Sequence, residues 1–126
     1  MNYRKILLVD DDEDDQEIFF TALQKVAPDV VCEMLNSACS ALERLKNGQV
    51  SPDIIFLDLN MPIMNGQQFL AEIKKDAGLK DIPVVVISTS SHPQTIQLAK
   101  DTGAKDFITK PDKFDDLVKI LVSLLD

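Results

Sequence analysis

The sequence predicts a single α/β domain in which a parallel sheet carries helices on both faces. Five short apolar runs alternate with five stretches of helical periodicity along the 126 residues. The runs are mostly β-branched or aromatic and lack strict polar alternation, which is typical of strands buried on both faces. This alternation predicts a doubly wound (βα)5 arrangement, and we expect residues 1–126 to form one domain.

The five predicted strands belong to one five-stranded parallel sheet. Glu33 interrupts the second run, so we expect that strand near an edge of the sheet. Right-handed crossovers limit the topology, and the expected strand order is the flavodoxin-like order 2-1-3-4-5. The runs cover residues 6–9, 30–35, 54–57, 84–87 and 107–108.

Each predicted strand is followed by a stretch with an apolar stripe at helical spacing. Pro28 ends the first helix, and Asn47 and Gly48 close the second. The fourth stripe is the weakest and the fifth is the strongest. The stripes consist of Ile18, Phe19, Ala22, Leu23 and Val26; Ala38, Ala41, Leu42 and Leu45; Phe69, Leu70 and Ile73; Ile96 and Ala99; and Phe114, Leu117, Val118, Leu121 and Leu124.

Composition and charge restrict the class of protein. Hydrophobic residues make up 45% and charged residues 27%, a balance typical of soluble globular domains. A net charge of −8 disfavours binding to nucleic acids and anionic membranes. We see no signal peptide and no run of roughly 20 apolar residues, and we expect a cytoplasmic protein. Cys32 and Cys39 could pair on count alone, but we interpret them as reduced, packed thiols.

Polar residues follow four of the predicted strands, at the edge of the sheet where such folds bind ligands. Asp10 and Asp11 follow the first strand, Asp58 the third, Ser88 the fourth and Lys110 the fifth. If the first and third strands are neighbours, the three carboxylates converge on one spot. Their mutual repulsion calls for a compensating cation, and hard oxygen ligands suit Mg²⁺ or Mn²⁺.

This set of residues can also carry out a reaction. A carboxylate such as Asp58 can attack a phosphoryl donor and form an aspartyl-phosphate. Lys110 would supply positive charge, and Ser88 would supply a hydroxyl hydrogen bond to the phosphoryl oxygens. Taken alone, Asp58 could be an ordinary turn residue, Ser88 part of a loop or a helix cap, and Lys110 a surface lysine. Asp12 to Asp15 are interpreted only as a solvated helix start.

Four motifs resemble those of the receiver domains of two-component response regulators, especially the stand-alone receivers of chemotaxis and phosphorelays. They are residues 8–11 (LVDD), 57–66 (LDLNMPIMNG), 83–88 (PVVVIS) and 106–111 (DFITKP). The resemblance extends over essentially the whole chain. The resemblance implies a phosphorylation-dependent signalling switch that accepts its phosphoryl group from a histidine kinase or phosphotransfer protein and is not an enzyme acting on another substrate.

The resemblance also implies a role for each residue of the site. Asp58 would be the phosphoryl acceptor. Asp10, Asp11, Asp58 and the backbone carbonyl of Asn60 would hold Mg²⁺, with Mn²⁺ as a possible substitute. The Lys110 side chain would contact a phosphoryl oxygen.

Further residues would convert phosphorylation into a signal. Ser88 would move toward the phosphoryl group, and Phe107 would change rotamer. The face formed by helix four, strand five and helix five would then bind a downstream protein, so that output passes through protein contacts. The Lys110–Pro111 bond is expected to be cis by this likeness. A monomer or weak dimer is expected.

Three other classes of protein fit less well. A metal-dependent phosphatase with an aspartyl-phosphate intermediate would need a D-x-D-x-T motif after the first strand, which residues 10–14 (DDDED) lack. A flavodoxin-like electron carrier would need a loop there that cradles a phosphate, and an acidic cluster would repel it. A degenerate receiver that binds partners without phosphorylation would not be expected to keep all the chemical residues.

Overall fold

A five-stranded parallel sheet with helices on both faces forms the fold, and the computed structural model describes residues 3–125. The strand order is β2-β1-β3-β4-β5 and every pair is parallel, so the predicted class, strand count and order are confirmed. The elements are β1 (Lys5–Val9), α1 (Glu13–Val26), β2 (Val31–Leu35), α2 (Ala38–Lys46), β3 (Ile54–Leu57), α3 (Gly66–Lys75), β4 (Val84–Ser88), α4 (Pro93–Thr102), β5 (Asp106–Thr109) and α5 (Phe114–Leu125).

The sheet separates two apolar cores. Leu7 and Val9 point to one side, where they pack with α2, α3 and Ala99 of α4. Ile6 and Leu8 point to the other side, where they pack with α1 and α5. All four residues of β3 are buried because this central strand is covered on both faces. The apolar runs therefore form the rigid centre that fixes the carboxyl ends of the strands.

The prediction that β2 lies at an edge of the sheet is confirmed, but the predicted burial of Ile18 is wrong. β2 is an edge strand, as Glu33 indicated, and Val31 on it is 59% exposed. Ile18 does not share the buried face of α1, because it is 48% exposed. At 100° per residue, Ile18 lies roughly 90° around the helix from the centre of the stripe that Phe19, Ala22 and Leu23 form.

Side-chain caps begin the helices that follow the strands of the site. Asp12 accepts hydrogen bonds from the backbone N–H groups of Asp14 and Asp15 and so begins α1. Asn65 and Gln68 form a reciprocal capping box at the start of α3. These caps fix where each loop at the carboxyl edge of the sheet turns into helix.

The two cysteines are free, as interpreted from the sequence. Cys32 packs in the core beside α1 and α5, and burial raises the pKa of its thiol to about 11. Cys39 lies on α2, on the opposite side of the sheet, and is exposed, so the expectation that both thiols are packed is wrong for this residue. Within residues 3–125, no helix has the length and apolar character to span a membrane.

Gly66 opens α3 in direct contact with the loop that carries Asp58. A Cβ atom here would overlap the carbonyl oxygen of Asp58 and would lie 2.7 Å from the Cα of Leu59. Both contacts are with backbone, which cannot move aside without displacing the loop. Gly66→Ala should therefore lower the free energy of unfolding by about 2–3 kcal/mol, although alanine is the better helix former.

Chemical denaturation would measure this effect, with Gly78→Ala as the matched control. A Cβ at Gly78 meets only the Asp76 side chain, at 3.3 Å, so this variant should change stability by less than about 1 kcal/mol. Equal stability of the two variants would contradict the packing argument.

Candidate functional site

Three carboxylates meet where β1 and β3 end. Val9 and Leu57 are partners in the register of these strands, so Asp10 and Asp58 follow at the same level. The backbone N–H of Asp58 donates to the Val9 carbonyl at 3.0 Å. Asp10 and Asp58 are only 3% and 5% exposed, whereas Asp11 is exposed. One carboxylate oxygen from each residue lies within 4.8 Å of the other two, so the predicted convergence is confirmed.

Burial makes this spot unfavourable for negative charge. Burial raises the pKa of Asp58 to about 6, and repulsion from Asp10 and Asp11 adds to this increase. The nearby Lys110 ammonium and the Asn60 N–H, which donates to Asp58 Oδ1 at 3.3 Å, oppose the increase. The pKa of Asp10 is also raised, chiefly by burial. A cation bound between these groups would relieve the penalty.

The donor set fits a small divalent cation. It consists of carboxylate oxygens, which are the hard ligands that Mg²⁺ and Mn²⁺ prefer. One of the three carboxylates is open to solvent, which leaves room for the water ligands that Mg²⁺ usually keeps. The role of the Asn60 carbonyl as a further ligand stays a prediction.

Lys110 brings positive charge to the same site. Its backbone N–H donates to the Ser88 carbonyl at 2.7 Å, which fixes the residue beside the end of β4. Its Nζ lies 2.7 Å from Asp15 Oδ2, 3.4 Å from Asp10 Oδ2 and 3.8 Å from Asp58 Oδ1. Burial alone would lower the pKa of Lys110. The bond to Asp15 and the charges of Asp10 and Asp58 outweigh burial and raise it, so the ammonium stays protonated.

The first turn of α1 contributes two residues that sequence reasoning missed. Asp15 was interpreted as part of a solvated helix start, but it makes the shortest contact to Lys110. Gln16 Nε2 donates to the backbone carbonyl of Asp10 at 2.6 Å. A signal for Asp15 was present in the sequence. It lies four residues before Phe19, so it continues the buried stripe of α1 with an acidic residue.

Ser88 is buried at the end of β4, and its Oγ accepts a hydrogen bond from the Ser90 N–H at 3.1 Å. The surrounding loops are linked by side chains. Asn60 Nδ2 donates to Thr89 Oγ1 at 3.4 Å, and Thr109 Oγ1 donates to the Ser90 carbonyl at 3.3 Å. The loop after β4 is therefore connected to the loop after β3 and to the end of β5.

Phe107 is half-buried in β5 and packs against the core beside α2, α3 and α4. Its neighbour Ile108 packs on the opposite side of the sheet. This places the Phe107 ring on the side of the sheet that carries α4. Its change of rotamer stays a prediction.

The peptide bond between Lys110 and Pro111 is trans, and no cis bond occurs in residues 3–125, so the predicted cis bond is wrong. The trans form is intrinsically favoured by about 0.5–1 kcal/mol. In this form the Lys110 N–H still bonds to Ser88, and its ammonium still reaches the carboxylates. The contacts of the site thus form with this bond in the favoured trans form.

A cavity of about 100 Å³ lies against Asp58. Its polar wall includes Asp10, Asp15, Asp58 and Lys110. Its apolar wall comes from both helices of the α1–α5 side and from β4, with Ile18, Phe19, Ile87 and Leu117 among its residues. The buried Asp58 carboxylate therefore faces a cavity that is also lined by Lys110.

Known proteins resemble this chain along most of its length. The profile described as the Response regulator receiver domain matches residues 6–122. Two-component response regulator ORR8 of rice (Oryza sativa) is 35% identical over 96% of this chain and 98% of its own length. The phosphorylated cyanobacterial phytochrome response regulator RcpA superposes with a TM-score of 0.88 at 33% identity, covering 97% of this chain and 91% of that chain.

A Mn²⁺-bound form of response regulator Rcp1 superposes with a TM-score of 0.86 at 30% identity, covering 96% of this chain and 91% of that chain. The match of the family profile begins within β1 and ends within α5. The chain therefore belongs to the response regulator receiver family of two-component systems.

Proposed function

We propose that this chain is a phosphorylation-dependent switch whose acceptor is Asp58. The observation that carries the proposal is the position of the Asp58 carboxylate. It is buried, shares a 4.8 Å cluster with Asp10 and Asp11, and lies 3.8 Å from the Lys110 ammonium. In the reaction, an Asp58 oxygen bonds to phosphorus while the bond from phosphorus to the donor breaks, and the donor keeps that electron pair.

The donor is a histidine kinase or a phosphotransfer protein, and its phosphohistidine nitrogen is the leaving group. Asp10, Asp11, Asp58 and the Asn60 carbonyl would hold Mg²⁺ or Mn²⁺. The bound ion would supply positive charge to the carboxylates and the phosphoryl oxygens. The manganese-bound relative Rcp1 and the phosphorylated relative RcpA support both assignments by their similarity to this chain.

Lys110 stabilises the charge that develops on the phosphoryl oxygens, and the Ser88 hydroxyl donates to one of them. Ser88 is free to do so because its Oγ accepts, and does not donate, the bond from Ser90. The protein assists its own phosphorylation and dephosphorylation but has no other substrate.

The signal leaves through the face formed by α4, β5 and α5. Ala99 is the single buried residue of α4, and Leu98 on this helix is 53% exposed, so few contacts hold the helix in place. The Phe107 side chain lies on the side of the sheet that carries this helix. Withdrawal of Ser88 and Thr89 toward the phosphoryl group would shift the loop before α4, and a partner protein that binds the shifted form stabilises it.

Intact mass spectrometry after incubation with acetyl phosphate and Mg²⁺ tests the acceptor. We expect the wild type to gain one phosphoryl group, and neither the chelator-treated protein nor Asp58→Asn should gain it. Asp53→Asn is the matched control, because this exposed aspartate lies just before β3 and should not affect the gain. NMR spectra of the same samples should show shifts at Phe107 and along α4, beyond those around Asp58.

A folded wild type that binds Mg²⁺ but gains no phosphoryl group, from acetyl phosphate or from a panel of kinases, would contradict the proposal. That result would favour a module that binds its partners without phosphorylation. A gain that persists in Asp58→Asn would assign the acceptor to another residue.

A further inference from the structure

The Lys110 ammonium makes its shortest contact away from the proposed acceptor. Nζ is 2.7 Å from Asp15 Oδ2 but 3.8 Å from Asp58 Oδ1, which is beyond hydrogen-bond length. The Lys110 side chain is 19% exposed, so solvent only partly screens this ion pair. The shortest bond of the lysine is thus to a residue that is neither the proposed acceptor nor a member of the 4.8 Å carboxylate cluster, and its bond to Asp10 of that cluster is longer, at 3.4 Å.

Asp15 is held rigidly enough to act as an anchor. It lies in the first turn of α1, and its backbone N–H donates to Asp12 Oδ1 at 3.2 Å. The next residue, Gln16, bonds to the Asp10 carbonyl. The helix start is therefore fixed to the loop after β1, and the Asp15 carboxylate is directed into the site from a rigid element.

We propose that Asp15 is a positioning residue that restrains Lys110 until Asp58 is phosphorylated. The proposal rests on the function proposed above. A charge-assisted bond to Asp15 keeps the ammonium short of the position where it can bond a phosphoryl oxygen. Lys110 must weaken that bond to reach the phosphoryl group, so Asp15 stabilises the unphosphorylated form and slows the transfer.

Asp15→Asn should accordingly speed phosphorylation by acetyl phosphate at a subsaturating concentration by about threefold to fivefold, the range for loss of a partly exposed ion pair. Asp15→Glu keeps a carboxylate within reach of Lys110 and should stay close to the wild-type rate. Asp14→Asn is the matched control. It removes the same charge from the same turn, but Asp14 is exposed and forms no ion pair with Lys110, so its rate should change by less than about 1.5-fold.

A second arm separates restraint of the lysine from general repulsion of the anionic donor. The Asp15→Asn substitution is repeated in a Lys110→Ala background, where the acceleration should disappear because Asp15 acts through Lys110. An acceleration of the same size in that background, or in Asp14→Asn, would overturn the proposal. So would a slower Asp15→Asn variant, which would mean that Asp15 aims the lysine productively.

NMR of the lysine ammonium groups gives a readout that does not depend on phosphorylation. In the metal-free protein, the Lys110 signal, assigned by its loss in Lys110→Arg, should shift in Asp15→Asn and stay in place in Asp14→Asn. An unchanged signal in Asp15→Asn would show that the ion pair does not form. If the wild type is not phosphorylated at all, the proposed function fails too. If it is phosphorylated and Asp15→Asn is no faster, the restraint alone fails.

Discussion

Replacing Lys110 with alanine is expected to slow phosphoryl transfer to Asp58 by about 100-fold to 1000-fold, the usual effect of removing one group that stabilises developing charge. Lys110 is the one cation among the described residues within 4.0 Å of Asp10, Asp15 and Asp58. Its loss leaves the phosphoryl oxygens without the positively charged side chain that lies beside Asp58. It also removes the charge that holds the pKa of Asp58 down, so fewer acceptor carboxylates are ionised.

The rate is best measured by intact mass at pH 8 with saturating Mg²⁺, where most Asp58 carboxylates are ionised in both proteins. Lys113→Ala is the matched control because it removes the same charge from an exposed lysine three residues later. It should leave the rate nearly unchanged. A similar slowing in both variants would indicate that net charge, and not the position of Lys110, controls the reaction.

Most of the fold could be predicted because the local pattern and the tertiary structure agree. The apolar run that became β3 is buried at every position, and Glu33 marked the edge strand. The convergence of Asp10, Asp11 and Asp58 followed from one topological fact, that β1 and β3 are neighbours. Residues that directly follow buried parallel strands inherit their positions from the sheet.

Contacts that depend on side-chain direction were harder to predict. Asp15 was assigned to solvent because an acidic helix start is explained equally well by capping, and only the three-dimensional position of Lys110 distinguishes the two. Ile18 was assigned to the core because it is apolar, but it lies at the side of the stripe. The cis bond before Pro111 was expected from the motif alone, whereas the bond is in the intrinsically favoured trans form.

Backbone conformation in the loop after Asp58 also follows from tertiary constraints. Ile63 has a φ of 68°, a conformation that β-branched residues rarely adopt, and its side chain is 96% exposed. Nothing in its residue type predicts this. Three residues later the loop must bring Gly66 against the Asp58 backbone, where its N–H donates to the Leu59 carbonyl at 3.0 Å.

Replacing Asp58 with asparagine is expected to stabilise the metal-free protein by about 1–3 kcal/mol at pH 7.5, although it removes the proposed acceptor. Burial raises the pKa of Asp58 to about 6, and a shift of this size corresponds to at most about 3 kcal/mol. Asparagine carries no charge to bury. Loss of attraction to Lys110, 3.8 Å away, reduces the gain. Denaturant unfolding in the presence of chelator would measure it.

The stability advantage of Asp58→Asn over the wild type should increase with pH. Because folding raises the pKa of Asp58, the folded chain binds more protons than the unfolded chain between about pH 4 and pH 6. The penalty is present in full above pH 6 and disappears toward pH 4, so the advantage of Asp58→Asn should shrink as the solution is acidified. A constant advantage at all pH values would contradict burial of charge as its cause.

Asp53 provides a control of opposite sign. The backbone N–H groups of Arg4 and Lys5 hold the pKa of Asp53 below its ordinary value, so its ionised form favours folding at neutral pH. Asp53→Asn should therefore destabilise the protein at pH 7.5, and this loss of stability should fade in acid as the wild-type carboxyl is protonated.

Mg²⁺ allows a second comparison between the wild type and Asp58→Asn. It should stabilise the wild type more than Asp58→Asn, because a cation held by all three carboxylates offsets the same repulsion that the substitution removes.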